Sequence, residues 1–245
     1  MPERAQFPDR SKRTRLPAEV VKLPDLESQP KFLSGIGVSG LEFAEPVERV
    51  RIPLWKRGLD LTCILLSLPV WLPVTVFVAL WVKIVAPGPL FFRQERVGYR
   101  GRRFMILKFR TMGANIETLS HERHLEQLMQ ADSPLTKLDA AGDPRIIRGG
   151  RVLRALQLDK LPQLLSVFRG DMSLVGPRPC TPAEFLLYQP WQRERLNAPP
   201  GLISYWVNGA NTRTFAEMID MDLFYLKNMS LGLDLQVMLR AILRL

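Results

Sequence analysis

The chain has 245 residues, of which 47% are hydrophobic, and this is enough for one sizeable core. Its formal net charge is +10, and all of the excess lies in residues 51–245, with 26 basic side chains against 16 acidic ones. Such a charge suits an anionic lipid surface, a phosphate-bearing substrate or nucleic acid. Cys63 and Cys180 give neither a disulfide framework nor a metal-ligand spacing, which excludes a cysteine-stapled fold and fits a reducing compartment.

The first segment, from Met1 to about Pro30, is polar and contains several prolines. It lacks the apolar stretch of a secretory signal peptide. We expect residues 1–50 to form a disordered N-terminal extension, to which the sequence assigns no function.

An apolar run follows, between two basic clusters. Residues 61–82 are 22 consecutive uncharged residues, which at about 1.5 Å per residue would just cover a bilayer core as a straight helix. Pro69 and Pro73 each remove a backbone donor from its middle and predict a kink or break. Because basic residues flank both ends, we expect both ends on the cytoplasmic side. The sequence therefore predicts a re-entrant membrane helix over residues 51–86, with a kinked transmembrane helix and a buried core helix as alternatives.

Residues 87–245 are expected to form the globular part. Apolar groups around a basic, glycine-containing turn predict short strands within residues 90–107. Residues 113–130 carry apolar side chains at helical spacing, and residues 132–142 are loop-like. The last segment, residues 215–245, is predicted as one or two helices whose wide apolar face packs on the core or lies on lipid.

Three groups of residues have what phosphate binding needs, namely cations, exposed amides at turns and a carboxylate. The first is the strand end at Lys108 and Arg110, which strand alternation places on one face. Two cations on one face can hold a diphosphate. Two exposed charges on an edge strand are the alternative interpretation. The third group is the turn of residues 170–179, where two prolines direct Arg178.

The second group surrounds Asp159, which stands beside Lys160 at a predicted helix start. One interpretation is a helix N-cap. The other is a reactive carboxylate whose pKa is held low by nearby cations. Such a group could bind a divalent cation or attack phosphorus. The cations near it in the sequence are Arg145, Arg148, Arg151 and Arg154.

Together, seven stretches of the chain resemble the bacterial sugar transferase family, the monotopic polyprenyl-phosphate phosphoglycosyltransferases, in its minimal form. The resemblance runs in collinear order from Lys56 to the C-terminus, roughly 190 residues. The stretches are Lys56-Arg57, Pro87-Gly88-Pro89, Phe92 to Gly98, Lys108 to Met112, Asp143-Pro144-Arg145, Leu158 to Gln163 and Gly170 to Pro179.

The resemblance implies an α/β fold, a small membrane-associated globular domain with a re-entrant, proline-broken membrane helix and interfacial amphipathic helices. The domain would lie on phospholipid at the bacterial inner (cytoplasmic) membrane and face the cytoplasm. It would transfer a sugar 1-phosphate from a nucleotide diphosphate sugar to a membrane polyprenyl phosphate, with Mg²⁺ and through a covalent phosphosugar enzyme. Such transfer initiates the assembly of exopolysaccharide, O-antigen or glycoconjugate.

The resemblance also implies roles for particular residues. Asp159 would be the nucleophile and the metal ligand. Lys160 is a candidate catalytic residue by its position alone, since it could form an ion pair with Asp159 or neutralise phosphate directly. The substrate phosphates would be bound by Lys108, Arg110, Arg145, Arg154 and Arg178.

The chain departs from the family pattern in two places. Lys160 stands where the family usually has an acid, and Ala210 where it usually has an arginine. An active enzyme of altered preference fits these changes, and so does a non-catalytic partner in a homo- or hetero-oligomer with a related transferase. We expect no nucleic-acid partner, because the aromatic residues form no stacking motif among the basic ones.

Overall fold

A helix of 32 residues, α1 (Leu54–Val85), opens the part of the chain that the computed structural model describes. The described residues are 52–113, 146–208 and 214–243. The predicted N-terminal extension, most of the predicted helix over residues 113–130 and the predicted loop over residues 132–142 lie outside them.

Helix α1 keeps helical backbone through Pro69 and Pro73. Side-chain donors reach carbonyl groups about one turn before the first proline: Ser67 Oγ donates to the carbonyl of Cys63 at 2.6 Å, and Trp71 Nε1 donates to that of Ile64 at 3.1 Å. The carbonyl that loses its helical donor at Pro69 is that of Leu65, the next residue along, so these side-chain bonds add to the helix beside the proline rather than replace the missing amide.

One side of α1 packs on the globular body along most of the helix, whereas the other side is exposed. Ile64 joins a core cluster that contains Val167, and Val78 and Val82 join a second cluster that contains Phe109. Only 11% of the most apolar 18-residue window is buried, so α1 is not a core helix of the described body, although its length and composition suffice to cross a membrane. The exposed apolar side chains between the two ends are Leu65, Leu66, Val70, Leu72, Val76 and Phe77.

The first turns of α1 are anchored by buried polar groups. Lys56 forms an ion pair with Asp234 and donates a hydrogen bond to the Tyr225 hydroxyl at 2.8 Å. Asp60 accepts hydrogen bonds from the Ser173 hydroxyl at 3.0 Å and the Leu174 amide at 2.9 Å. These contacts tie the start of the apolar helix to the C-terminal part of the chain.

The predicted strands form a hairpin. Strands β1 (Phe91–Val97) and β2 (Arg103–Phe109) are antiparallel, with Gln94 opposite Ile106 and Phe92 opposite Lys108. A short 3-10 turn, Tyr99–Gly101, joins them. Because alternate side chains share a face, Gln94, Arg96 and Lys108 lie on the same face as the buried Ile106.

Short elements fill the middle of the described chain. They are α2 (Gly150–Ala155), a 3-10 turn (Leu158–Gln163), α3 (Leu164–Arg169), β3 (Ser173–Val175), α4 (Pro182–Leu187), α5 (Pro190–Arg193), a 3-10 turn (Glu194–Asn197), β4 (Gly201–Ile203) and a 3-10 turn (Tyr205–Asn208). Strands β3 and β4 are parallel. A Cβ atom at Gly176 would lie 2.3 Å from the carbonyl oxygen of Pro199, so the chain requires glycine at the close approach after β3.

Two helices complete the structure, as the sequence predicts for residues 215–245. Helix α6 (Phe215–Asn228) begins at a capping box between Thr214 and Glu217, and Ser230 caps α7 (Leu231–Ile242). Helix α6 packs into the core, whereas α7 buries Val237 and leaves leucines of its other face exposed. The architecture is thus a mixed helix and strand domain with one long apolar helix at its start, which confirms the fold class in outline.

Candidate active site

The Asp159 carboxylate lies in the 3-10 turn Leu158–Gln163, which packs against strand β2. The N-cap of this turn is Gln157, in a left-handed conformation with φ 56°, and no side chain caps it. Asp159 is therefore not an N-cap. Its half-buried side chain lies within electrostatic reach of Lys108, Lys160 and Arg154.

The pKa of Asp159 moves in the direction opposite to our expectation. Burial raises it, and this effect exceeds the opposing attraction of Lys160, Lys108 and Arg154. Arg148 is exposed and points to water rather than to this carboxylate. The expectation of a lowered pKa was wrong because it rested on the cations near Asp159 in the sequence and left out the loss of water around the buried carboxylate.

Lys108 lies across from the carboxylate on the inner face of the hairpin. Its Nζ donates to Gln94 Oε1 at 3.3 Å. Burial and, next to it, the charge of Arg96 together lower the pKa of Lys108 to about 7, against the opposing attraction of Asp159. The charge of Lys108 therefore changes close to neutral pH.

Two arginines complete a basic cluster beside Lys108. Arg96 donates to Gln94 Oε1 at 2.6 Å and to the Pro179 carbonyl at 3.2 Å. Arg178 donates to Glu184 Oε1 at 3.2 Å, and both arginines act electrostatically on Lys108. The tertiary structure thus joins the strand-end group, the Asp159 group and the 170–179 turn at one place.

Not every predicted phosphate-binding residue lies there. The buried Arg110 turns to the end of α1, where it donates to the carbonyl oxygens of Ala86 and, at 3.0 Å, Pro87. Arg154 contacts Met112 Sδ at 3.9 Å while remaining within electrostatic reach of Asp159. Arg145 lies outside the described residues.

Three residues of the cluster are absent from the sequence-based prediction of the site. Gln94 and Arg96 belong to one of the stretches that carry the resemblance, and their two-residue spacing on a strand could have assigned them to the face of Lys108. No comparable sequence pattern indicated Glu184, because only the tertiary fold brings its carboxylate close to the two arginines.

The cluster contains two carboxylates among several cations, and that of Glu184 is already paired with the arginines. Among residues 52–113, 146–208 and 214–243, no group of three or more histidine, cysteine or acidic side chains could hold a metal ion. Mg²⁺, however, is commonly bound by one or two carboxylates together with substrate phosphates and water. Asp159 fits that pattern only as a single protein ligand, with a diphosphate providing further oxygen ligands.

Comparisons with known proteins identify the family of the chain. The family model described as "Bacterial sugar transferase" matches residues 51–245. The chain is 38% identical over 206 residues to the UDP-glucose:undecaprenyl-phosphate glucose-1-phosphate transferase of Caulobacter vibrioides, covering 80% of this chain and 72% of that protein. It is 36% identical over 188 residues to the exopolysaccharide production protein ExoY of Sinorhizobium fredii, covering 76% and 83%.

A third relative is the undecaprenyl-phosphate galactose phosphotransferase of Salmonella typhimurium, 34% identical over 194 residues, which cover 76% of this chain and 39% of that protein. The fold and the site define a membrane-associated sugar transferase domain. This chain belongs to the bacterial sugar transferase family, as the sequence motifs indicate.

Proposed function

We propose that this chain transfers a sugar 1-phosphate from a nucleotide diphosphate sugar to a membrane polyprenyl phosphate and so initiates glycan assembly. One observation carries the proposal: Lys108 lies within electrostatic reach of the Asp159 carboxylate, of Arg96 and of Arg178. These groups belong to a domain that begins with a long apolar helix. The names of the relatives describe transfers of this kind to undecaprenyl phosphate.

In the first step, an Asp159 carboxylate oxygen attacks the phosphorus that bears the sugar. A bond forms between that oxygen and phosphorus, and the bond to the bridging diphosphate oxygen breaks. The bonding electrons leave with that oxygen on a nucleoside monophosphate. Lys108, Arg96 and Arg178 stabilise the charge that develops on the phosphate oxygens.

In the second step, a phosphate oxygen of the polyprenyl phosphate attacks the same phosphorus. The acyl phosphate bond breaks, the Asp159 carboxylate is regenerated, and the product is a polyprenyl diphosphate sugar. Neither step requires a proton from the protein when both attacking oxygens are ionised. The raised pKa of Asp159 makes its ionised form a stronger nucleophile than an exposed carboxylate.

Mg²⁺ is the proposed cofactor, with Asp159 as its protein ligand. When bound, it would neutralise charge on the diphosphate. The remaining ligands would be phosphate oxygens and water.

The decisive test replaces Asp159 by Asn in the full chain, purified in detergent. With Mg²⁺, polyprenyl phosphate and a panel of nucleotide sugars, the parent protein should release nucleoside monophosphate, and Asp159→Asn should lower the rate at least about 10³-fold. Glu194→Gln, at an exposed carboxylate outside the three candidate groups, is the control. Release at the parent rate by Asp159→Asn would refute the nucleophile assignment.

We further propose that α1 enters the cytoplasmic leaflet and returns by bending at Pro69 and Pro73 while it stays helical, with the catalytic domain facing the cytoplasm. Two observations support this topology: residues from both halves of α1 pack on one body, and the apolar side chains on the other side of the helix are exposed. A helix that crossed the bilayer would carry its C-terminal turns to the far side, away from that body.

A non-catalytic homologue that acts as a membrane-bound partner of an active transferase is the second candidate. The observation in its favour is Lys160, whose Nζ donates to Gln157 Oε1 at 3.1 Å and which adds a positive charge beside Asp159. This candidate predicts no monophosphate release from any donor, together with co-purification of an active family member.

A further inference from the structure

Three cations of the candidate active site lie close enough to disturb one another. Burial lowers the pKa of Arg96 to about 10, and the charge of Arg178 contributes to this shift. Both arginines also lower the pKa of Lys108. Since like charges repel, the three groups need a counter-charge to stay together when no anion is bound.

Glu184 provides this counter-charge. Its Oε1 lies 3.2 Å from Nη2 of Arg178 and 3.8 Å from Nη1 of Arg96, and its side chain is only 2% exposed. Within the described part of the chain, no other carboxylate forms an ion pair with either guanidinium group.

Glu184 is itself held in place by two further contacts, one of which a buried arginine supports. Its amide donates to Thr181 Oγ1 at 3.1 Å at the start of α4, and the Tyr188 hydroxyl lies 3.4 Å from Oε2. The buried Arg195 donates to the Tyr188 hydroxyl at 2.9 Å and to the Arg178 backbone carbonyl at 2.8 Å. Arg195 thus supports Glu184 through Tyr188, and it also holds the backbone of Arg178, whose side chain pairs with Glu184.

Both carboxylate oxygens of Glu184 are engaged, one by the guanidinium groups and the other by a hydroxyl. The side chain is therefore not placed to attack phosphorus. We propose that Glu184 is a positioning residue, which holds the guanidinium groups of the buried Arg96 and the partly exposed Arg178 beside Lys108, so that their combined charge acts on one diphosphate. This inference rests on the proposed function and adds how the phosphate-binding cations are kept in place.

The test is binding of inorganic pyrophosphate with Mg²⁺, measured by titration calorimetry on the full chain in detergent at pH 7. Glu184→Gln keeps the shape but removes the charge, and Arg178, whose side chain is 31% exposed, is then free to turn towards water. We expect affinity to fall about tenfold, which corresponds to one lost charge-assisted contact. Unchanged or tighter binding would overturn the inference, because Glu184 would then act only as a charge that repels the anion.

A double-mutant cycle separates positioning from general destabilisation. If Glu184 acts through Arg178, then Glu184→Gln should cost little in an Arg178→Ala background, whereas fully additive losses would contradict the inference. Glu95→Gln is the matched control, because Glu95 pairs with Arg103 at 3.6 Å on the same hairpin outside the cluster. Its pyrophosphate affinity should stay within about twofold of the parent.

Should Glu184→Gln fail to fold, Glu184→Asp keeps the charge and shortens the side chain by one methylene. An affinity loss of about threefold without a lower Tm would support positioning, and parent affinity would overturn it. Absence of pyrophosphate binding by the parent protein would instead refute the proposed function, since there would be no phosphate site for Glu184 to support.

Discussion

At the scale of single residues, the candidate site combines a carboxylate and an amine whose pKa values approach each other. Burial raises the pKa of Asp159 and lowers that of Lys108 to about 7, because removal of water disfavours both charged forms. Their mutual attraction opposes both shifts. The reaction needs both groups charged, so activity should be confined to a window of pH.

We expect activity to fall on the alkaline side of this window because Lys108 loses its proton there. Its pKa is lowered, so the amine is protonated below pH 7 and loses its charge as pH rises through about 7. We expect kcat/KM for the donor to fall above that pH in the parent and to remain high in Lys108→Arg, since arginine stays protonated. Monophosphate release from pH 5 to 9 measures this, with the exposed Lys227→Arg as control. A decline of equal size in Lys108→Arg would assign the titration to another group.

Substitutions at Lys160 test whether Mg²⁺ binds at the Asp159 carboxylate. Lys160→Glu would place a second carboxylate beside Asp159, and we expect half-maximal activity at an Mg²⁺ concentration about tenfold lower than in the parent. It should also raise the pKa of Asp159 and move the acid side of the window to higher pH. Lys160→Gln removes only the cation and should leave the Mg²⁺ requirement within about threefold of the parent. An Mg²⁺ titration in which all three proteins coincide would exclude a metal near residue 160.

At the scale of elements, α1 decides where the site lies relative to the membrane. Buried side chains on one side of α1 contact the domain, whereas its other side offers an apolar surface that water would not solvate well. Arg110 contributes here, because its guanidinium group holds the backbone at Ala86 and Pro87, where α1 ends and the hairpin begins. A residue predicted to bind phosphate thus fixes the connection between α1 and the hairpin.

Cysteine labelling distinguishes the topologies of α1. Leu54 and Ile84 are 90% and 77% exposed at its two ends, and Cys180 is buried, so a Cys63→Ser background suits single Leu54→Cys and Ile84→Cys variants. A membrane-impermeant maleimide should label both variants in inverted vesicles and neither in intact spheroplasts. Labelling of the two ends from opposite sides would establish a transmembrane helix and exclude the re-entrant form.

At the scale of the whole molecule, a buried ion pair joins the beginning of the described chain to its last helix. Lys56 and Asp234 are both inaccessible to solvent, and the Tyr225 hydroxyl bonds to each of them. Such a pair adds little to stability when compared with apolar residues, but loss of one partner leaves a buried charge. Because of this pair, the packing of α1 on the domain and the packing of α7 depend on each other.

Lys56→Met should lower the free energy of unfolding by about 3–5 kcal/mol, because Asp234 would be left uncompensated in the core. Denaturant titration in detergent measures the change. The double variant Lys56→Met/Asp234→Leu should recover most of the loss, and Lys83→Met, at an exposed lysine of the same helix, should be near neutral. A single Lys56→Met variant as stable as the parent would show that the pair is not coupled to folding.

Much of the architecture follows from local sequence. The apolar run, the hairpin around a basic turn and the helices after residue 214 were predicted because each depends on composition and periodicity within one segment. The family motifs also selected Lys108, Asp159 and Arg178, which the structure brings together. The predicted topology of α1 and the roles of these residues await the experiments above.

The apolar segments, the strands, the helices and the family resemblance can all be recognised from the sequence alone. Three features required the tertiary structure: burial raises the pKa of Asp159, Arg110 bonds the backbone at the end of α1, and Glu184 forms ion pairs with two arginines. The reason is physical: desolvation and ion pairing depend on which groups surround a side chain in space. Arg96 and Glu184 are 88 positions apart in the sequence, yet 3.8 Å separates their charged atoms.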